Sequence, residues 1–270
     1  AAGIRPVFVF DGAPPVRKAR TIEGRVEVKK RAEAEWKEAL EIGDIAMART
    51  KAMQTSRLTH EMVGQSQRLL GLLGIPWVQA PSEGEAQASA MARAGSAYAV
   101  VSQDYDALLF GSPLLVKNLA ISGKRKLPRK EVYVDVVPEE IGLEATLSAL
   151  GVTREQLVDM ALLIGTDFNE GVKGIGPKKA LALIKKHGAL GPAITELGTE
   201  IEGADEIRRI FLEPSVQPEV AIEFRDPEPD AVRSMLCDEH DFSRERIDAA
   251  LAKFTEARSG RKQKSLDRWF

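Results

Sequence analysis

Two short acidic runs, Pro81-Ser82-Glu83-Gly84-Glu85 and Ser102-Gln103-Asp104-Tyr105-Asp106, are the stretches of this chain best suited to chemistry. Each carries two carboxylates one residue apart where a strand or loop is expected to end, so four acids are delivered to one rim. Ionised carboxylates about 4 Å apart repel by roughly 4 kcal/mol per pair at an effective dielectric near 20, and such a cluster persists only where protons or cations neutralise it. Clustered oxygens suit a hard divalent cation. Asp11 closes the apolar stretch 4–10 (IRPVFVF) and so falls at a strand's carboxyl edge, where open α/β sheets place their ligands.

Plainer readings stand beside these. Asp11 before Gly12 is also an ordinary turn residue. Ser82 and Glu85 make an S-x-x-E capping box, which would account for Glu85 without a metal and leave Glu83 unexplained. Asp104 and Asp106, as i and i+2 of an extended segment, face the same way, and the apolar Ala107-Leu108-Leu109-Phe110 after them offers no capping role.

The basic residues suggest what the rim would act on. Residues 107–130 hold six bases and no acid, and residues 171–195 hold five lysines and no acid. The balance is restored at 196–230, where eleven acids face three arginines, so a net charge of -2 does not argue against a polyanionic partner. Gly171-Val172-Lys173-Gly174-Ile175-Gly176-Pro177-Lys178-Lys179, set between two helical segments, reads as a phosphate cradle: Gly174 and Gly176 expose backbone N–H groups, and a helix opening on Pro177 favours an anion. Lys178, Lys179, Lys185 and Lys186 add charge without sequence information, as a backbone grip requires. Acids, a divalent cation and a phosphate cradle together point to hydrolysis of a nucleic-acid phosphodiester.

Positioning these residues takes an α/β core, a mostly parallel sheet flanked by helices. Residues 4–10 and 75–79 read as strands, and 97–101 is an apolar run leading into the second acidic segment. Residues 16–73 read as a long helical stretch softened at Gly43-Asp44. The bases of its first half are either a solvated face or side chains that reach over the rim to phosphate. In its second half Leu58, Met62, Leu69, Leu70, Leu72 and Leu73 read as core-facing. Residues 114–117 and 131–137 look like strands around a basic loop, 121–130, which is either a DNA contact or a solvated turn. An amphipathic helix at 154–164 ends in Gly165-Thr166-Asp167, and His187 marks a later helix C-terminus. Segments 196–230 and 242–254 complete the globule as helices punctuated by proline.

The single Cys237 excludes an intramolecular disulfide or a cysteine-rich zinc site and fits a reducing, cytoplasmic setting. Apolar runs fall short of a membrane span, and no membrane partner is expected. No signal peptide is visible. The chain opens at Ala1 without an initiator Met and enters a buried-looking strand almost at once, from which an upstream segment is expected. It finishes Gln263-x-x-Leu266-x-x-Trp269-Phe270, two aromatics on a polar tail with no core to join, which suggests a partner's pocket.

Together FDGAPP, PSEGEA, SQDYDALLFG, GTDFN, GVKGIGPKKA and QKSLDRWF resemble, in order and spacing, the structure-specific flap endonuclease family of 5′ nucleases in its archaeal-type form. The resemblance implies a 5′ nuclease (PIN-like) core at 1–150 with a helical arch at 16–73, a second nuclease region at 151–256 with a helix-hairpin-helix at 155–187, and a flexible clamp-binding tail at 257–270. It implies that Asp11, Glu83, Glu85, Asp104, Asp106 and Asp167 hold two Mg2+ ions, with Mn2+ an alternative, and that Lys18 and Arg25 act on the scissile phosphate. By the same resemblance Gly174, Gly176, Lys178 and Lys179 grip duplex DNA, with a K+ ion at the hairpin, and Gln263, Leu266, Trp269 and Phe270 dock on a PCNA-type sliding clamp. The implied protein is an intracellular monomer that cuts flap or branched DNA in replication and repair. Family members begin with a further strand carrying another metal-binding Asp and a first gateway helix, neither of which is in this sequence. The alternative is therefore a fragment that binds flap DNA and the clamp without cutting.

Overall fold

The structure, a computed structural model, describes residues 4–55, 58–120, 123–126 and 133–264. It divides into two compact units, one of Asp11–Ser56 and Gln79–Val220, the other of Ala1–Phe10, Arg57–Val78 and Ala221–Phe270. Neither unit is continuous along the chain, which leaves the smaller one and returns to it twice.

In chain order, β1 (Phe8–Phe10) and a 3-10 turn (Val16–Lys18) precede α1 (Ala19–Glu41), α2 (Ile45–Thr55) and α3 (His60–Leu72). Next come β2 (Trp77–Gln79), α4 (Gly84–Arg93), β3 (Val100–Val101), α5 (Asp106–Leu109), β4 (Leu114–Lys117), β5 (Lys124–Lys126), β6 (Tyr133–Asp135) and β7 (Glu139–Gly142). The rest is helical: α6 (Leu143–Leu150), α7 (Arg154–Ile164), α8 (Pro177–His187), α9 (Leu190–Glu196), α10 (Ala204–Leu212), α11 (Pro229–Arg233), a π turn (Ser234–Asp238) and α12 (Arg244–Lys264). Among the described residues no helix is long and apolar enough to cross a membrane.

The class is α/β, with short strands. β1 pairs with β2; β3 runs parallel to β4, with Val100 opposite Leu115; β7 joins β4 antiparallel, with Leu115 opposite Ile141. Where the sequence predicts a mostly parallel sheet, the described residues of the larger unit show β3, β4 and β7 in a mixed three-stranded sheet with one parallel pair. The basic loop expected at 121–130 contains β5, which pairs with β6 (Arg125 opposite Val134), so among the described residues 131–137 does not pair with 114–117. Residues 121–122 and 127–130 lie outside the described residues.

The larger unit's main core gathers Val158, Leu162, Leu163, Ile184, Ile207 and Phe211 from α7, α8 and α10, all fully buried. Each such side chain contributes about 1.5–3 kcal/mol by leaving water. A capping box starts α7: the Thr153 hydroxyl accepts from the Gln156 backbone N–H, and the Gln156 side chain accepts from the Thr153 N–H. α1 folds back on α2 through Ala32, Ala39 and Ala48, each almost completely buried, because alanine lets two helices approach closely. In the smaller unit Leu69, Leu72 and Leu73 pack around Val232, Ile247 and Leu251. Leu58 and Met62, expected in the core, are instead 76% and 49% exposed. Leu58 precedes the Thr59 cap that starts α3, and Met62 lies in the first turn, where its N–H is held by the Thr59 hydroxyl.

Candidate active site

All six expected acids fall in the larger unit. Residues 11–12 meet the start of α4 directly: Gly84 N–H donates to Asp11 Oδ1 at 2.7 Å, and Gly12 N–H donates to Ser82 O at 2.6 Å. Gly12 is required there, since a Cβ would lie 2.1 Å from the Ala80 carbonyl oxygen. Asp11 therefore places its carboxylate at the head of α4 across 73 positions of sequence. The Ser82–Glu85 capping box does not form: Glu83 occupies the N-cap position without a side-chain cap, and Glu85 Oε1 accepts a hydrogen bond from Ser102 Oγ at 2.9 Å.

Nothing in the sequence singles out Ser102, yet it joins the two acidic runs. Its hydroxyl donates to Glu85 and accepts from the Asp104 N–H at 3.0 Å. β3 ends at Val101, and residues 102–105 turn into α5, of which Asp106 is the first residue. The extended i, i+2 geometry expected of Asp104 and Asp106 is thus replaced by a turn, because the Ser102 side chain bends the backbone before a strand can continue.

The sixth acid arrives from the loop after α7. Thr21 Oγ1 on α1 donates to the Asp167 carbonyl at 2.7 Å, and Thr166 Oγ1 meets Asn169 Oδ1 at 2.9 Å across the loop. Lys18 links this acid to the first run: its Nζ lies 2.6 Å from Glu83 Oε2 and 3.4 Å from Asp167 Oδ2. Burial lowers the Lys18 ammonium, but the hydrogen bond and charge of Glu83, with Asp167, outweigh it and hold the group above its usual value. Arg25 lies on α1, and its side chain falls outside what the structure describes.

The acids act on one another. Burial raises the Glu85 carboxyl, partly offset by Ser102, and the charges of Asp104, Asp11 and Glu83 raise it further. Burial, then Asp104, Glu85 and Asp167, push Asp106 from its ordinary 3.8 up to about 7. These two carboxyls place all six acids in one electrostatic neighbourhood that Lys18 only partly neutralises. An all-oxygen, anionic donor set of this kind fits a hard divalent cation in its chemistry. In ligating geometry it is not closed: among the described residues no group of three Asp, Glu, His or Cys side chains is placed to hold an ion. A cavity of about 550 Å³ borders the site, lined by Glu83, Ser82, Pro15 and Phe110, whereas a larger one of about 690 Å³ is lined by Arg93, Pro113 and Leu147 and touches none of the six acids.

The glycine-bracketed segment forms a turn between α7 and α8. Ile175 N–H donates to Val172 O at 3.0 Å, Gly174 has φ +81, and Lys179 Nζ donates back to Gly174 O at 2.9 Å. Gly176 caps α8 ahead of Pro177 with an extended backbone, and an added Cβ there meets nothing within 4 Å, so neither conformation nor internal packing requires glycine at 176. Lys178 and Lys179 are exposed at the head of α8, while Lys186 and His187 at its foot pair with Glu196.

Residues 74–167 match the XPG I-region, a span that holds Glu83, Glu85, Asp104, Asp106 and Asp167. The flap endonuclease 1 of Methanosarcina acetivorans is 48% identical over 269 residues, covering 100% of this chain and 79% of that protein. That of Archaeoglobus fulgidus is 52% identical over 268 residues, covering 99% and 79%. The chain belongs to the flap endonuclease 1 family. It is accordingly a nuclease, and it is similar in structure to flap endonuclease-1 from Methanococcus jannaschii, with a TM-score of 0.70 at 41% identity over 96% of this chain and 77% of that one. The catalytic core of Rad2 in complex with DNA substrate shares the fold, with a TM-score of 0.67 at 23% identity over 93% of this chain and 78% of that one. Of the flap endonuclease family's expected clamp motif, Gln263 falls on α12, which continues into the segment expected as a flexible tail; Leu266, Trp269 and Phe270 lie outside the described residues.

Proposed function

We propose that this chain is a 5′ flap endonuclease that hydrolyses a DNA phosphodiester near a single-strand/duplex junction, in replication (Okazaki fragment maturation) and repair. The observation that carries this reading is that six acids from four distant segments act on one another through charge, with Lys18 between Glu83 and Asp167, in a chain of this family. Asp11, Glu83 and Glu85 would mainly hold one Mg2+ (or Mn2+), and Asp104, Asp106 and Asp167 a second. When bound, such ions supply a water of lowered pKa and neutralise charge on the departing oxygen. Lys18, kept protonated by its carboxylate neighbours, meets phosphate as a cation. With Arg25 it offsets the charge that gathers on the phosphoryl oxygens in the transition state, an effect felt in turnover more than in binding. Gly174, Gly176, Lys178 and Lys179 hold the duplex backbone, and the bare backbone at Gly176 leaves room for a phosphate or a K+ ion. Gln263, Leu266, Trp269 and Phe270 dock on a PCNA-type clamp, with the protein otherwise a cytoplasmic monomer.

The test is cleavage of a fluorescent 5′ flap with and without Mg2+. Asp106→Ala is expected to keep flap binding within about threefold and to remove cleavage. Unchanged cleavage in that variant discards the acid assignment. Binding without cutting by the unaltered chain favours the alternative, a protein that holds flap DNA and does not cleave it.

A further inference from the structure

We propose that Arg154 is a positioning residue for cleavage: from the first position of α7 its guanidinium ties the end of α5 to α10 and so fixes where Asp106 stands at the other end of α5. This rests on the function proposed above. Arg154 Nε donates to Leu109 O at 3.0 Å and Nη2 donates to Phe211 O at 2.7 Å. Arg93, the last residue of α4, donates from Nη1 to Phe110 O beside it. The chain escapes between the two guanidinium groups at Gly111, which has φ +83 and where a Cβ would lie 2.9 Å from Arg154 Nε and 3.1 Å from Arg93 Nη1.

Two features make this more than an ordinary helix cap. First, among the described residues neither arginine has a carboxylate within ion-pair distance; burial lowers both, Arg93 lowers Arg154 further, and the charge of neighbouring Glu155 offsets this in part. Two adjacent cations whose direct hydrogen-bond partners are carbonyls are an expensive way to stabilise a turn. A single carbonyl could be capped by lysine, but reaching two carbonyls on different elements uses the planar fork of arginine. Second, α5 is one turn long, with Phe110 N–H donating to Asp106 O at 2.9 Å. A displacement at Leu109 therefore passes to Asp106 with little attenuation.

The brace also reaches the sixth acid. The Phe211 ring packs on Phe110 at 5.0 Å and on Phe168 at 5.4 Å, and Phe168 follows Asp167 and lies 5.9 Å below the Lys18 ammonium. One guanidinium thus stands behind both Asp106 and the loop that carries Asp167. A misplacement near 1 Å in such a site is enough for about a 100-fold loss of rate.

Arg154→Lys keeps the charge but cannot span both carbonyls. Expected for this variant are a fall of about 10- to 100-fold in single-turnover flap cleavage, flap-DNA affinity within about threefold, and a fall of about tenfold in Mn2+ affinity measured without DNA by electron paramagnetic resonance. Melting within a few degrees of the parent, on the order expected when folding is intact, accompanies these losses. If Arg154→Lys does not fold, Arg93→Lys releases the Phe110 carbonyl at the same helix end and should show the same split, at about threefold. Parental cleavage and Mn2+ binding in the folded variant overturn the proposal, as does a rate loss matched by equal losses of DNA affinity and melting temperature. A parent chain that neither cuts flap DNA nor binds Mn2+ overturns the proposed function instead.

Discussion

Asp106 carries the site's electrostatic cost, and its sign is opposite to that of a salt-bridged aspartate. Its folded value, about 7, lies above its ordinary 3.8. Below the lower value the group is neutral whether folded or not and costs nothing. As pH rises through this window the unfolded chain ionises while the folded one keeps its proton, so stability falls until about pH 7 and stays lowered above it. Asp106→Asn removes that cost, and without divalent ions it should raise the melting temperature by several degrees at pH 8 and by much less at pH 4. Calorimetry at the two pH values checks this; an equal shift at both would mean that ionisation is not the cause. Ser102→Ala should cut single-turnover cleavage about tenfold with flap binding unchanged, because Glu85 and Asp104 are no longer tied to one hydroxyl. The carboxylates were legible in the sequence because paired acids have few other uses. Ser102 and Thr21 were not, since each finds its partner far along the chain. The capping box misled because Asp11, distant in sequence, takes the head of α4 that Ser82 would have served.

At the level of elements, helices were read more faithfully than strands. The α1–α2 break at Gly43, the α7–α8 pair and the turn between them follow from glycine, proline and 3.6-residue periodicity, signals that are local. β3 spans Val100–Val101 only, and β7 reads Glu-Glu-Ile-Gly, too short and too polar for period-2 alternation to declare itself. Within the hairpin the two lysines differ. Lys179 straps Gly174 in place, whereas Lys178 is a cleaner probe of charge. Lys178→Ala should weaken duplex binding and flatten the slope of log affinity against log salt by about 0.9, the share of one phosphate that the side chain no longer neutralises. The joint variant with Lys179→Ala should weaken binding further by loosening the turn. An unaltered slope in both would mean that the hairpin does not grip the DNA backbone.

The chain as a whole is laid out so that neither compact unit is continuous in sequence. Local sequence signals do not reveal this, because the apolar face of α3 finds its partners in α11 and α12, more than a hundred residues later. Deleting 263–270 should abolish stimulation by a PCNA-type clamp and leave intrinsic flap cleavage unchanged, which a cleavage assay with and without clamp decides. The same discontinuity governs when a nascent polypeptide can assemble the proposed site. Asp11 meets Gly84 over 73 positions and Thr21 meets Asp167 over 146, so these contacts close loops whose entropy must be overcome late. At ribosomal speed the interval between emergence of the second acid pair and of Asp167 is on the order of ten seconds, during which the first carboxylates exist without their last companion. A chain interrupted in that interval would carry most of the acids proposed to hold metal and lack Asp167.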